Sequence, residues 1–568
     1  MRLRSRAAWW LATGTLGLAA ILPSRARAAT QTESSPESKV AAILATYDRT
    51  DSPGCAVGVF RDGRVVLARG YGMANLELGV SLSPASVLDI GSTAKQFTAF
   101  SILLLARDGK LSLDDDIRRF VPEIPSYGPK IAIRNLLNHT SGLRDYLELM
   151  ELAGVREEDL TTEQDALDVL SRQKAANFVP GTEHLYSNSG YFLLSVIVRR
   201  ASGKSLRDFA RERIFEPLGM GHTQFNDDHG RIVPNRATGY APRKEGGFRI
   251  DMSDFEQTGD GGLQTTVEDL FRWNENFFHP AVGDAKLLEE MQTPGRLTDG
   301  KPLTYAFGLV VAKERGLKLV SHGGAWVGYR AQLLRYPDER FAVACLCNLA
   351  TANPSALARR VAEVYLGERM TAPEEPAKAA ARPGSAPPSG PAPDRLAGAY
   401  RQTKSGDVWF FSMERGALVA EVSGQKIAFD PVGGDRFAAR DGGGGPELRI
   451  LSPAAGGRPR LEARWTGEET EVLEPISTWS PSPSELARFA GSYTSDEVGG
   501  VFRFEAADGK LFLRHRTIEP DAWRPTLRDS FTASGIQVRF ERHAPGKATG
   551  FRLDVGRVRG LVFRRAAG

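Results

Sequence analysis

Two residues that could form a nucleophile and its base stand close together early in the chain. Ser92 and Lys95 belong to the string Ser92-Thr-Ala-Lys95, which opens the apolar stretch Phe97 to Leu105. If a helix begins at Ser92, this spacing puts the lysine amine beside the serine hydroxyl on one face. A hydroxyl is a weak nucleophile, and a neighbouring amine that burial keeps neutral can take its proton. Because two further Ser-x-x-Lys strings occur, at 171–174 and 423–426, a merely capped helix remains open on this spacing alone.

Two further polar strings stand out downstream. Tyr186-Ser-Asn188 is the sole Tyr-x-Asn string in the sequence, and it precedes a helix-like apolar run. His322-Gly-Gly-Ala325 follows a strand-like run, and glycines in a strand let a second backbone approach closely. Taken singly, the first string also fits a turn and the second a bulge with a surface histidine.

The elements that must position these residues read as a mixed α/β or α+β region. Apolar runs of helical length cover Ala94–Leu105, Tyr191–Ala201 and Leu357–Tyr365. Short strand-like runs cover Ala56–Phe60, Val65–Ala68, Leu317–Val320 and Phe341–Cys347. Strands therefore open and close the region, with helices between them.

Behind this region the sequence changes character twice. Residues 371–393 hold seven prolines in 23 residues, which is typical of a linker. Beyond it, short β-rich runs repeat at an offset of 93 residues: Leu396-Ala-Gly-Ala-Tyr400 returns as Phe489-Ala-Gly-Ser-Tyr493, and Val408-Trp-Phe-Phe411 as Val501-Phe-Arg-Phe504. Leu461-Glu-Ala-Arg-Trp465 likewise matches Phe551-Arg-Leu-Asp-Val555 at an offset of 90. Two small antiparallel barrels are expected, because closure removes the exposed edges of so many short strands.

Several other polar residues are expected to be structural. Asp114-Asp-Asp116 fits a solvated helix start, and His139 fits a side chain that fixes a loop. His184 could border a site near Tyr186. Five arginines near the end alternate with apolar residues, as the outward face of strands would: Arg552, Arg557, Arg559, Arg564 and Arg565.

Composition limits the class of protein. Of 568 residues, 41% are hydrophobic and 25% charged, which excludes collagen-like, fully disordered and multi-spanning membrane chains. The 73 Lys and Arg nearly balance the 69 Asp and Glu, so the formal net charge is +4. A charge this small over this length does not suggest a nucleic-acid partner.

The first residues resemble a secretory signal. Three arginines precede the 16-residue apolar run from Ala7 to Leu22, and Ala26-Arg-Ala28 offers a cleavage site. A mature chain starting at Ala29, periplasmic or secreted, is expected. An uncleaved anchor is the alternative, although the run is shorter than the roughly 20 residues of a membrane span, and no stable membrane insertion is expected.

Cys55, Cys345 and Cys347 are too few for a disulfide framework or a four-cysteine metal site. Cys345 and Cys347 alternate along one strand-like run and should share a face, so buried free thiols are expected. A bridge from Cys55 to either of them stays open, since export would permit it.

The three polar strings, in this order, resemble those of the serine hydrolases of the penicillin-binding-protein and class C β-lactamase superfamily. Further likenesses are Leu136-Leu-Asn-His139-Thr-Ser-Gly-Leu143, Pro217-Leu-Gly-Met220, Gly261-Gly-Leu-Gln-Thr265 and a final strand ending at Asn348. The resemblance covers roughly residues 39–370. It implies a multidomain chain: a β-lactamase/transpeptidase-like α/β catalytic domain, with an antiparallel sheet flanked by helices and a helical subdomain, followed by two lipocalin-like barrels.

The expected layout is signal 1–28, hydrolase domain 29–370, linker 371–393, and barrels 394–480 and 481–568. Two such barrels also resemble the D-aminopeptidases of this superfamily.

The resemblance also implies a role for each site residue. Ser92 would form an acyl-enzyme, Lys95 would activate it, and Tyr186 would pass protons to the leaving group. Asn188 would hold the substrate amide, while His322 and Gly324 would face the substrate from the strand. The N–H groups of Ser92 and Ala325 would form the oxyanion hole. This chemistry needs no metal or other cofactor.

One departure from the family pattern affects the choice of substrate. Many relatives have Thr or Ser where this chain has Gly323, and that hydroxyl helps to bind a free carboxylate. Its absence favours an aminopeptidase or amidase, with D-amino-acid peptides as the preferred class, over a β-lactamase or DD-carboxypeptidase. A carboxylesterase and a non-catalytic sensor of peptidoglycan fragments or β-lactams are further alternatives.

The expected partner is thus a small peptide, amide or ester, which could derive from peptidoglycan. The barrels could narrow the cleft, form a homodimer, bind an apolar ligand or act as spacers.

Overall fold

The computed structural model describes residues 35–372 and 393–566, except 423, 441–444, 452–456, 466–469, 519–520 and 544–545. The expected signal 1–28 and nearly all of the expected linker lie outside these residues. None of the helices within the described ranges is long and apolar enough to cross a membrane.

A six-stranded antiparallel sheet forms the centre of the first domain. Its strands, in spatial order, are Val310–Glu314, Leu317–Trp326, Tyr329–Tyr336, Phe341–Cys347, Cys55–Arg61 and Arg64–Tyr71. Phe341–Cys347 is buried along its whole length, because helices cover both faces of the sheet there. The expected strands from both ends of the domain therefore meet at the middle of the sheet.

Helices flank the sheet and build a helical subdomain beside it. The α-helices of the described part are Pro36–Leu44, Lys95–Arg107, Ile133–Leu137, Tyr146–Leu152, Glu163–Ser171, Asn188–Ser202, Leu206–Ala210, Glu216–Leu218, Val267–Asn276, Ala285–Met291, Pro354–Leu366 and Pro483–Leu486. Lys95–Arg107 and Asn188–Ser202 pack against each other and are buried over most of their length. Together they carry two of the predicted site residues, Lys95 and Asn188. The smaller sheets pair Leu88–Asp89 and Gln224–Phe225 with Leu263–Thr265, Met73–Asn75 with Val80–Ser81, and Tyr240–Pro242 with Phe248–Ile250.

The expectation of a buried free thiol is wrong for Cys347 and confirmed for Cys345, and the bridge from Cys55 that was left open is formed. Cys55 and Cys347 are directly opposite each other on neighbouring antiparallel strands, and a disulfide joins them. Cys345 stays a buried free thiol, two residues along on the same face. The sequence left the pairing open because the register between two strands separated by almost 300 residues is set by tertiary packing.

Two closed eight-stranded antiparallel barrels follow, which confirms the predicted fold class. The strands of the first barrel are Gly398–Gln402, Val408–Glu414, Ala417–Val422, Gln425–Gly433, Arg436–Ala439, Glu447–Ile450, Leu461–Arg464 and Glu471–Ile476. Those of the second are Gly491–Thr494, Val501–Ala507, Lys510–Arg514, Ala522–Pro525, Ser530–Ala533, Ile536–Arg542, Ala548–Val555 and Val558–Arg565. The three repeated strings fall on the first, second and seventh strands of each barrel.

Side chains fill both barrels. The interior of the second is rich in buried aromatic rings: Phe489, Tyr493, Phe502, Phe504, Trp523, Phe531, Phe540, Phe551 and Phe563. The first packs Tyr400, Trp409, Phe411, Phe429 and Phe437 in the same way. Small barrels whose interiors are filled like this have packed cores, so the structure gives no support to the apolar-ligand hypothesis.

The two barrels relate differently to the first domain. The core of the second barrel is continuous with that of the helical subdomain, whereas the first barrel has a separate core. A buried ion pair between Arg144 and Glu497, at 2.7 Å, lies where the second barrel docks. The first barrel meets the second through polar contacts such as Gln537 with Asp407.

Candidate active site

Ser92 lies in a 3₁₀ turn, Gly91–Ala94, and Lys95 is the first residue of the α-helix that follows. The helix expected at Ser92 thus begins three residues later. The tighter turn still serves the predicted geometry, since residues i and i+3 of a 3₁₀ turn are stacked above each other. Lys95 Nζ is 3.0 Å from Ser92 Oγ.

The Lys95 amine is completely buried and has three partners. Besides Ser92, it is 2.9 Å from Asn188 Oδ1 and 2.6 Å from the backbone oxygen of Asp260. Burial lowers the pKa of Lys95 to about 7, with nearby Arg557 acting in the same direction and the carboxylates of Asp260 and Asp145 opposing it. A neutral amine has two N–H donors and one lone pair. Its donors then suit Asn188 and Asp260, which leaves the lone pair for the Ser92 hydroxyl proton.

Tyr186 lies over the Lys95 amine, with 4.9 Å between Nζ and the ring centroid. Burial raises the pKa of Tyr186, so the phenol keeps its proton at neutral pH. The adjacent Ser92 hydroxyl opposes this rise, but the Tyr186 hydroxyl has no hydrogen bond of normal geometry within the described residues. His139 supports the loop that carries Tyr186: its Nδ1 accepts the Ser187 N–H, and its backbone oxygen accepts the Leu185 N–H.

Asn188 begins the helix Asn188–Ser202, and a buried carboxylate fixes its backbone. Asp145 Oδ2 accepts the Asn188 N–H at 2.7 Å, while Oδ1 caps the helix Tyr146–Leu152 through the Leu147 N–H. Because Asn188 Oδ1 accepts from Lys95, its Nδ2 remains for a group in the cavity. The prediction that Asn188 holds a substrate amide assigns that amide to Nδ2.

The strand Leu317–Trp326 approaches the Ser92 turn very closely at its glycines. An ideal Cβ on Gly324 would lie 1.8 Å from the backbone oxygen of Ile90 and 3.0 Å from the Ser92 nitrogen. On the other side, a Cβ on Gly91 would lie 2.6 Å from the Ala325 nitrogen. Both positions require glycine for this contact. The Ser92 and Ala325 backbones are thereby brought together at the cavity wall, as the predicted oxyanion hole requires.

His322 is buried beside Tyr186 and bonded on both ring nitrogens. Nδ1 is 2.6 Å from the Gly323 oxygen, and Nε2 is 2.8 Å from the Tyr305 hydroxyl. Burial and the neighbouring Lys95 lower the pKa of His322 to about 4, so the ring is neutral. Nδ1 therefore donates to the carbonyl and Nε2 accepts from Tyr305. His184 lies farther out, with its ring centroid 6.0 Å from that of Tyr305.

A cavity of about 260 Å³ opens beside these residues. Ser92, Asn188 and Ala325 form one part of its wall, and it extends to Phe255 and Trp326. Two buried acids that the sequence analysis missed also line it. Burial raises the pKa of Asp260 to about 6 and that of Asp89 to about 7. Asp260 directly precedes the glycine-rich string at 261–265, which was the one available signal.

The second barrel contributes a loop to the same region. The two-residue turn Gly556-Arg557 joins the strands Ala548–Val555 and Val558–Arg565, and we call these residues, 548–565, the docking hairpin. The Arg557 N–H donates to Glu148 Oε2 at 2.7 Å, and its backbone oxygen accepts from Asn177 Nδ2 at 2.8 Å. The expectation that Arg557 lies on an outward strand face is wrong, because it is at the tip of the hairpin. The alternation of polar and apolar residues along the sequence does not predict which surface the turn Gly556-Arg557 contacts.

Comparisons with known proteins address the family and the fold of the chain. The family model described as Beta-lactamase matches residues 39–367. A D-aminopeptidase of Brucella melitensis is 27% identical over 90% of this chain and 96% of its own length, and one of Cereibacter sphaeroides is 28% identical over the same shares. Among solved structures, the octameric penicillin-binding protein homologue from Pyrococcus abyssi superposes with a TM-score of 0.55 at 25% identity. It covers 77% of this chain and 99% of its own. SurE, at 22% identity and a TM-score of 0.51, shares the fold.

The matched family segment contains Ser92, Lys95, Tyr186, Asn188 and the strand with His322 and Ala325. The relatives match across both barrels as well, since their shares extend well beyond the first domain. The chain belongs to the beta-lactamase family and is a serine hydrolase of that family.

Proposed function

We propose that the chain is an exported amide hydrolase that releases an amine from short D-amino-acid peptides or amides through a Ser92 acyl-enzyme. The observation that carries this proposal is the buried Lys95 amine, 3.0 Å from Ser92 Oγ, with its pKa lowered by burial to about 7. An amine near this pKa is a strong enough base for the hydroxyl and is largely neutral above neutral pH.

Acylation follows from the arrangement around Ser92. Oγ attacks the substrate carbonyl carbon while its proton passes to the Lys95 lone pair. The oxygen of the tetrahedral intermediate becomes negatively charged and accepts from the Ser92 and Ala325 N–H groups. Asn188 Nδ2 donates to the substrate amide and holds it in register.

Collapse of the intermediate breaks the C–N bond and requires a proton for the departing amine. The Tyr186 phenol holds its proton because burial raises its pKa, and Lys95 lies beneath the ring to return one. The proton accepted from Ser92 thus leaves with the amine. A water molecule then attacks the ester carbonyl carbon while its proton passes to Lys95. The bond between that carbon and Ser92 Oγ breaks, and Oγ takes the proton from Lys95, which regenerates Ser92.

The choice of a D-aminopeptidase-like substrate has two supports. Relatives with that name match this chain over 96% of their own length, so the likeness includes the barrels as well as the hydrolase domain. In addition, Gly323 supplies no hydroxyl beside the site, where a substrate carboxylate would need a donor. Both observations favour a substrate with a free amino group over a substrate with a free carboxylate at the cleaved residue.

Export has independent support from chemistry. The first 28 residues have the pattern of a secretory signal, and the disulfide between Cys55 and Cys347 suits an oxidising compartment.

Amino-terminal sequencing of protein from the periplasm or medium should give Ala29 as the first residue. A first residue within 1–22 would overturn the proposal of a cleaved signal.

The central test is release of p-nitroaniline from D-alanine p-nitroanilide by the purified mature chain. Ser92→Ala should abolish release while the melting temperature stays within a few degrees, and L-alanine p-nitroanilide should be a much poorer substrate. Release that persists in Ser92→Ala would disprove the mechanism. Faster turnover of a chromogenic cephalosporin than of the anilide would disprove the substrate class and favour a β-lactamase.

A further inference from the structure

The tip of the docking hairpin is fixed against the first domain, so the Arg557 side chain has a defined position. Besides its bonds to Glu148 and Asn177, the Arg557 backbone oxygen accepts the Asp145 N–H at 3.4 Å. Gly556 has a positive φ of 44°, and an ideal Cβ there would lie 2.5 Å from Glu148 Oε1. The turn therefore fits closely against Glu148 of the helix Tyr146–Leu152, and its first residue has the positive φ that glycine favours.

The Arg557 guanidinium contacts two groups of the active site. Its Cζ lies 5.0 Å from the centroid of the Tyr186 ring, whose distance to Lys95 Nζ is 4.9 Å. Its NH1 lies 3.4 Å from Asp145 Oδ2, the atom that accepts the Asn188 N–H. Asp145 is fully buried, and Arg557 is its one ion-pair partner in the described part of the chain. Removing this partner would leave a buried carboxylate without a counter-charge.

We propose that Arg557 is a positioning residue of the active site: its guanidinium pairs with the buried Asp145 carboxylate beneath Asn188 and adds positive charge next to Tyr186 and Lys95. The second barrel thereby takes part in catalysis, and the inference rests on the function proposed above. Arg557 touches no reacting atom and acts through the residues that do.

The direction of its effect follows from the charges that face Lys95. Asp260 and Asp145 are the acids, and both raise the pKa of Lys95, whereas Arg557 lowers it. His139 and His322 are neutral, since burial lowers the pKa of each, and the phenols of Tyr186 and Tyr191 stay protonated because burial raises theirs. Burial raises the pKa of Glu148 to about 8, so at neutral pH it adds little negative charge beside Arg557. Without Arg557, Lys95 would hold its proton to higher pH.

The test is the pH dependence of kcat/KM for D-alanine p-nitroanilide in the full chain. The acid limb of this profile is the rise of kcat/KM with pH as Lys95 loses its proton. Arg557→Gln and Arg557→Met should move this limb upward by about one pH unit, because one charge at short range has an effect of about this size. Below neutral pH, kcat/KM should therefore fall roughly tenfold in both variants. Arg557→Lys, which restores the charge, should return the limb to its original position. Arg552→Gln is the matched control, because Arg552 lies on the same hairpin but pairs with Glu541 in solvent. It should behave as the unchanged protein.

Failure of this inference can be told apart from failure of the proposed function. If both charge-free variants fold, as judged by melting temperature, and keep the acid limb in place, Arg557 is a packing residue and the inference is overturned, however much the rate falls. If the unchanged protein hydrolyses no anilide, the same limb is measured as the rate of Ser92 labelling by a fluorophosphonate. In that step Oγ bonds to phosphorus, fluoride leaves and Lys95 takes the proton. A shifted labelling limb supports the role of Arg557, and an unshifted limb rejects it.

Discussion

Among single residues, Lys95 sets the conditions under which the site can work. In the proposed mechanism its amine must be neutral to accept the Ser92 proton, and burial lowers its pKa to about 7. The values of kcat/KM should therefore rise with pH through about 7 and reach a plateau above it. A profile from acid to alkaline pH, measured on the purified chain, tests this. A flat profile through neutrality would mean that another group is the base.

Asp260 offers a way to move that limb in the opposite direction from Arg557. Its buried carboxylate raises the pKa of Lys95, so Asp260→Asn should shift the acid limb to lower pH by about one unit. The control is Tyr146→Phe, which removes the hydroxyl bonded to the Asp260 carboxylate and leaves the charge. An unchanged limb in Asp260→Asn, or an equal shift in the control, would contradict this electrostatic explanation.

The adjacent glycines of the strand should respond differently to a methyl group. Gly324→Ala places Cβ 1.8 Å from the Ile90 oxygen, so the strand must move away from Ser92 and the oxyanion hole must widen. We expect kcat/KM to fall about 100-fold or more, the loss typical of one oxyanion donor. Gly323→Ala meets the end of the Gln332 side chain at 3.0 Å, which can move aside, and should retain most activity. Equal losses in the two variants, compared by kinetics and melting temperature, would be inconsistent with this close approach.

The predictability of these residues from sequence depended on whether their contacts are local. Ser92 and Lys95 are one turn apart, so their contact followed from spacing. Arg557 and Asp260 reach Lys95 only through tertiary packing, and no periodicity in the sequence indicates that. The roles expected of Tyr186, Asn188 and His322 came from the order of motifs within a family.

Among the elements, the strand pair at the centre of the sheet has a covalent link. The disulfide joins residues 292 positions apart, which removes much conformational freedom from the unfolded chain. Replacing Cys55 and Cys347 together by alanine should lower the free energy of unfolding by about 2–4 kcal/mol, measured by denaturant titration. Cys345→Ala leaves the bridge intact and should cost less. If reductant destabilises the unchanged protein no more than it does the double variant, the bridge contributes nothing.

Elements with strong patterns were the most predictable. Phe341–Cys347 has the predicted bounds, and the helix expected from Leu357 to Tyr365 is longer by three residues at its start and by one at its end. The repeated strings predicted two barrels, because each string recurs on the corresponding strand of the second barrel. The register of Cys55 opposite Cys347 was not predictable, since apolar runs on both strands allow several alignments.

For the whole molecule, we expect that cleavage of the linker will not separate the hydrolase domain from the barrels. The proline-rich residues 371–393 should be cut first by protease. The two fragments should nevertheless stay together, because the second barrel shares a core with the helical subdomain and contributes Glu497 to a buried ion pair. Size-exclusion chromatography of the cleaved protein should therefore give one peak containing both fragments.

A variant pair tests which contact holds the fragments together. Glu497→Gln leaves Arg144 as a buried cation without its partner, a loss of about 3–5 kcal/mol for a typical buried pair, and should promote separation. Asp496→Asn breaks only the exposed pair with Lys174 and should leave the complex intact. Separation of the unchanged fragments, or first cuts elsewhere in the chain, would contradict this division of the molecule.

The docking hairpin also affects the order of events during synthesis. Ser92 and Lys95 leave the ribosome hundreds of residues before Arg557, so a nascent chain carries the nucleophile long before the residue beside Tyr186 exists. The role proposed for Arg557 implies that the site reaches full activity only when the last strands close the second barrel and the turn docks. A chain interrupted within the barrels would keep a nearly complete domain with a weakened site. We therefore expect full hydrolytic activity only after translation has reached the end of the second barrel.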